Sequence, residues 1–131
     1  VKPLGEYFQT ADWTKEKHVP VIDCPDEVKS GEYFEVHAEI GKEVPHPNTT
    51  EHHIAWIALY FQAEGDKFTK EVGHFQFSSH GDSVKGPNEG PVYTHHAVTA
   101  WMKTTQPGTL YSLAYCNIHG LWEYRKEIKV S

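Results

Sequence analysis

The chain has 131 residues, 38% of them hydrophobic and 13% aromatic, with a formal net charge of -6 at pH 7. That length suits one domain with a proper core, and the aromatic content excludes a disordered chain. The acidic balance disfavours nucleic-acid binding and an electrostatic membrane anchor, both of which need clustered basic residues.

Val1 to Thr10 shows neither the basic nor the apolar region of a signal peptide. The first fifteen residues form a short helix or an arm, and periodicity does not decide between them. Val19 to Asp23 opens the strand series. Phe34, Val36, Ala38 and Ile40 alternate with Tyr33, Glu35, His37 and Glu39, the pattern of a half-buried strand. His53 to Phe61 reads HIAWIALYF, apolar on both faces, and is predicted as a central strand. Val72 to Phe77, Val92 to Met102, Thr109 to Cys116 and Trp122 to Val130 follow. Between them lie the turn formers Lys29 to Glu32, Ala63 to Asp66 and Thr105 to Gly108, and an irregular loop from Ser78 to Pro91. About seven short strands in such a chain predict an all-β, immunoglobulin-like antiparallel sandwich, one domain over residues 1–131 with a short N-terminal arm. No stretch approaches the ~18 apolar residues of a membrane-spanning helix. With only Cys24 and Cys116 present, a disulfide framework is not expected and a reducing, cytoplasmic location is.

Three segments carry metal-ligand residues. Cys116-Asn-Ile-His119 closes a strand just before Gly120, where a turn can aim a thiolate and an imidazole at one point. His46-Pro-Asn-Thr-Thr-Glu-His52 is stiffened by Pro45 and Pro47, which favour extended backbone. His52 and His53 are adjacent, so in a strand they point to opposite faces and only one reaches a common site. In Glu16-Lys17-His18, Glu16 and His18 share a face of an extended chain. Each segment has a plainer reading: a buried structural cysteine, polar-loop histidines, a solvated charge run. His37, His74, His80, His95 and His96 lack partners at ligand spacing and are expected at the surface or hydrogen-bonded. Taken together, the segments supply four imidazoles, one thiolate and one carboxylate. Zinc prefers four tetrahedral ligands, so a five-plus-one set points to an octahedral iron with one exchangeable position. A thiolate opposite that position pushes electron density toward whatever binds there.

EKHVPVI (Glu16 to Ile22), GKEVPHPNTTEHHIAWI (Gly41 to Ile57), GPN (Gly86 to Asn88) and YCNIHGLWE (Tyr115 to Glu123) resemble the superoxide reductases of the one-iron, neelaredoxin type. The resemblance runs from about Phe8 to Val130. It implies an immunoglobulin-like sandwich holding one iron, with His18, His46, His52 and His119 as equatorial ligands and Cys116 as the axial thiolate. It implies Glu16 as the carboxylate that closes the sixth position in the oxidised state, and Lys17 as the cation beside the open site. The implied activity is one-electron reduction of superoxide to hydrogen peroxide, an oxidative-stress detoxification fed by an external donor such as rubredoxin. A homo-oligomer, often a tetramer in this family, is implied as well. The four-cysteine module of two-iron relatives is absent from this chain, and Cys24 lies outside the ligand motifs. Two other classes compete: a non-catalytic electron-transfer sandwich of cupredoxin type, which uses two histidines, a cysteine and a weak axial ligand, and a metal-free binding module.

Overall fold

Alternation of apolar and polar residues decides the layers. In the computed structural model, which describes residues 1–131, Phe34, Val36 and Ala38 of β3 (Phe34–Glu39) point inward and are buried, while Glu35, His37 and Glu39 face out. β1 (Val21–Asp23) and β6 (Ala97–Met102) flank β3, giving a sheet in the order β1-β3-β6. The second sheet has the order β2-β8-β7-β4-β5, from β2 (Glu27–Val28), β8 (Gly120–Val130), β7 (Gly108–Cys116), β4 (Ile54–Ala63) and β5 (Lys70–Gln76). Val36, Ala38, Ile40 and Val98 from one side meet Ile57, Leu59, Leu110 and Ile128 from the other, forming a continuous apolar core. This is the two-sheet β-sandwich expected from the strand pattern, and β4 is a central strand, paired with β5 and β7.

The structure departs from the sequence reading in two places. β2 was not expected; its two residues pair in parallel with Lys129 and Val130 of β8, the exception in an otherwise antiparallel sandwich. Two residues are too few for periodicity to register. The strand predicted from Val92 begins only at Ala97. Thr94 is drawn instead to Ser79, donating both its N–H (2.8 Å) and its hydroxyl (2.9 Å) to that carbonyl. The N-terminal arm contains one turn of 3-10 helix, Leu4–Tyr7, and then a parallel bridge from Gln9 to Trp122 on β8.

The large sheet brings the motifs to one end of its strands. Ile54, which starts β4, pairs with Cys116, which ends β7, and Cys116 pairs with Gly120, which starts β8. Gly120 has φ +82°, a left-handed conformation that lets the chain reverse immediately after His119. The segment carrying His18 is tied to the same sheet, for the Ser112 hydroxyl donates to the Pro20 carbonyl. No helix is long and apolar enough to cross a membrane.

Candidate metal centre

The four imidazoles named above form a closed ring. Their ring centroids are 4.9 Å apart between His18 and His46, 4.9 Å between His46 and His52, 5.1 Å between His52 and His119, and 4.8 Å between His119 and His18. Each touches two neighbours, so His18 stands opposite His52 and His46 opposite His119. Ligand atoms of His18, His52, Cys116 and His119 all lie within 4.8 Å of one another. Cys116 is 1% exposed, whereas His119 reaches solvent. The Cys116 sulfur accepts the His119 backbone N–H at 3.4 Å, the kind of bond expected from the strand-end turn, and lies 3.8 Å from His119 Nδ1.

Three buried atoms in this ring have no hydrogen-bond partner: Nε2 of His18, of His46 and of His52. Orphaned polar atoms are rare in a folded interior and cost free energy. The opposite nitrogens are occupied where they are buried. His18 Nδ1–H donates to Glu16 Oε1 at 2.7 Å, and His46 Nδ1–H donates to the Pro47 carbonyl at 2.6 Å. Those bonds leave the buried Nε2 lone pairs free, the tautomer a metal ligand needs. The donor set therefore fits a transition metal, with imidazole and thiolate donors suited to iron, copper or zinc.

Electrostatics agree. Burial pushes His46 down to about 4, and burial also lowers His18 and His52 below the ordinary imidazole range. His18, His46 and His52 are thus neutral at physiological pH. The Lys17 ammonium contributes to the lowering at both His18 and His52, which places its charge beside the cluster. Glu16 lies on the outer side of His18, where Oε1 also accepts the His18 backbone N–H at 3.2 Å.

His53 turns away from the ring and stacks on His80, with centroids 3.6 Å apart. The loop between His46 and His52 is clamped from outside. Asn88 Nδ2 donates to both Glu51 carboxylate oxygens (2.7 and 3.0 Å), and the Thr50 N–H donates to Asn88 Oδ1 at 2.8 Å. Asn117, between the cysteine and the histidine, donates to the Glu51 carbonyl and accepts the His53 N–H, both at 2.9 Å. Sequence reasoning did not find these clamps, nor Trp122, which stacks on His18 at 4.7 Å. It also expected His96 at the surface or hydrogen-bonded; His96 is instead buried edge-on against His46, at 5.8 Å, and burial pushes it down to about 4. His80 is hydrogen-bonded as expected, to Asn48 and the Phe77 carbonyl, but it too is buried. Both cysteines are free thiols.

Residues 10–125 match the desulfoferrodoxin family. The chain belongs to that family. A neelaredoxin from Megalodesulfovibrio gigas is 58% identical over 125 residues, covering 95% of this chain and 96% of the relative. The superoxide reductase of Pyrococcus furiosus is 52% identical over 120 residues, 92% of this chain and 94% of its own length. Among solved structures, the superoxide reductase (neelaredoxin) of Archaeoglobus fulgidus in the reduced form superposes with a TM-score of 0.86 at 52% identity, covering 93% of this chain and 98% of that one. The desulfoferrodoxin-family sandwich thus carries a ring of histidines with a cysteine at one end of its larger sheet.

Proposed function

We propose that this desulfoferrodoxin-family chain is a superoxide reductase. It takes one electron from an outside donor and two protons, and converts superoxide to hydrogen peroxide. The observation that carries the reading is the gathering of ligand atoms of His18, His52, His119 and Cys116 within 4.8 Å of one another, with His46 closing the imidazole ring and the Nε2 atoms of His18, His46 and His52 buried without partners. Four imidazoles and a thiolate exceed a tetrahedral zinc site, and they exceed the two-histidine, one-cysteine set of a blue-copper carrier. One iron per chain is the metal this set suits, with His18, His46, His52, His119 and Cys116 as its protein ligands. Bound there, iron supplies a one-electron couple tuned by an electron-rich sulfur donor.

The chain's own residues do the rest. Glu16 and the Pro47 carbonyl hold protons on Nδ1 of His18 and His46, so that both rings present lone pairs inward. Lys17 offers a local positive charge to an anionic substrate. The net charge of -6 opposes that approach, yet charges beyond a Debye length of ~8 Å are largely screened, and the nearby cation prevails at short range. Glu16 would serve as a further, oxygen ligand to the iron in the oxidised protein, and would then give up its bond to His18. The exposed edge of His119 leaves water, the proton source, close at hand.

The donor is proposed to be a rubredoxin-like one-electron carrier. The functional unit is proposed to be the single domain of residues 1–131, assembled as a homo-oligomer such as a tetramer. The free thiols Cys24 and Cys116 support a cytoplasmic setting. The test is the visible spectrum of the purified protein with iron analysis and a superoxide-consumption assay. About one iron per chain, a thiolate-to-iron band that bleaches on reduction, and superoxide consumption tied to oxidation of a donor are expected. A chain that stays colourless and iron-free after anaerobic addition of ferrous iron would overturn the reading.

A further inference from the structure

Trp122 touches two corners of the histidine ring at once. Its indole lies nearly parallel to the His18 imidazole, with centroids 4.7 Å apart and an interplanar angle of 14°. Its Nε1–H donates to the His119 carbonyl at 3.1 Å. The backbone around it is held on both sides by the N-terminal arm: the Gln9 N–H donates to the Leu121 carbonyl at 3.0 Å, and the Glu123 N–H donates to the Gln9 carbonyl at 2.8 Å. Trp122 stands apart from the apolar core cluster, so core packing does not account for it.

We propose that Trp122 is a positioning residue for the metal centre, fixing the plane of His18 and the turn that carries His119. The inference rests on the metal-centre reading above. Glu16 holds His18 at Nδ1 and His46 and His119 meet the ring edge-on, while the flat indole covers one face and fixes the tilt of its plane. The indole N–H bond to the His119 carbonyl ties the same surface to the Cys116–Gly120 turn. His18 and His119 are neighbours in the ring, so one side chain sets the angle between two adjacent donors.

The test uses the full metal-free chain with Co2+ as probe. Three readouts apply: Co2+ affinity by competition with a chelator, the His18 ring-proton shifts by NMR before metal addition, and thermal unfolding. In Trp122→Leu, the ring-current shift at His18 should vanish and Co2+ affinity should fall about 10- to 100-fold, the usual effect of losing an outer-shell partner. Trp122→Phe keeps an aromatic face but no N–H, and should retain most of the shift with a smaller loss of affinity. A folded Trp122→Leu protein with undiminished Co2+ affinity overturns the inference. Should that variant not fold, Trp122→Phe decides, since unchanged affinity there also overturns it. A wild-type chain that takes up no Co2+ through its thiolate overturns the metal centre and this inference together, whereas wild-type uptake matched by Trp122→Leu overturns the inference alone.

Discussion

Glu16 Oε1 sits 2.7 Å from His18 Nδ1, an ionised carboxylate against a neutral imidazole. Burial holds His18 below its ordinary range despite the carboxylate beside it. For Glu16, burial works the other way, and the hydrogen bonds it accepts from the His18 ring and from the Lys17 and His18 backbone outweigh it, keeping the carboxyl low. In this state Glu16 orients a ligand instead of acting as one. Glu16→Ala should therefore weaken metal binding about tenfold, the lower end for an outer-shell partner. The first electron transfer to superoxide should survive, because the side chain is not part of that step. Chelator competition and pulse-generated superoxide kinetics check the two halves separately.

Cys116→Ser replaces a soft, charged sulfur donor with a hydroxyl. The thiolate-to-iron colour should disappear and most activity with it. The fold should persist, since the side chain is similar in size. A spectrum that keeps its red-region band would show that another residue supplies the sulfur, and the axial assignment would fall.

Much of this centre was legible because its donors occur in short motifs with stiff backbones. Pro45 and Pro47 around His46, and Gly120 after His119, mark places where the chain must hold or reverse direction. The strands were legible where alternation ran for several residues, as in Phe34–Glu39. β2 escaped because two residues carry no period, and Val92 to His96 misled because β-branched and aromatic residues there serve a loop tied to Ser79. Trp122 and His96 escaped for a different reason. Their roles come from cross-strand and loop neighbours far away in sequence, and no local spacing encodes a ring stacked on His18 or lodged against His46.

Asn88 has φ 62°, the left-handed region that asparagine tolerates better than most residues. From there it grips Thr50 and Glu51 of the loop between two of the histidines. Asn88→Ala loses those bonds and adds backbone strain of about 1 kcal/mol, so a total destabilisation of roughly 2 kcal/mol is expected. Asn88→Gly loses the same bonds without the strain and should be milder. Thermal melts of the two metal-free variants measure the difference. Equal melting temperatures for wild type and Asn88→Ala would remove the clamp from the account.

The Lys17 charge acts on both His18 and His52, and the role proposed for it in attracting superoxide is electrostatic. Lys17→Ala should slow the second-order reaction with superoxide while leaving the spectrum of the centre largely unchanged. The wild-type rate should also fall as salt is added, because screening shortens the reach of the charge. Stopped-flow or pulse-radiolysis rates across an ionic-strength series decide it. A wild-type rate indifferent to salt would count against steering.

Acid should destabilise the metal-free protein well before its carboxylates titrate. His46 and His96 are held down at about 4, and His18, His52 and His80 are lowered as well, burial being the leading cause at each. An unfolded chain protonates these imidazoles near 6.5, and the folded chain only at lower pH, about 4 for His46 and His96. Between about pH 6.5 and 4 the unfolded state thus binds more protons, and stability must fall as pH falls. His46 alone contributes on the order of 3 kcal/mol across that window, being almost wholly buried. Below it the folded rings protonate too, and this contribution levels off. Glu16 and Glu39, both held low, then extend the loss in the same direction. The expected result is a melting temperature that declines steadily from pH 7 to pH 4.5, with a shallower decline in His96→Asn. A melting temperature flat over that range would mean that the histidines are already charged in the fold, and a ring of charged imidazoles offers no lone pairs to a metal.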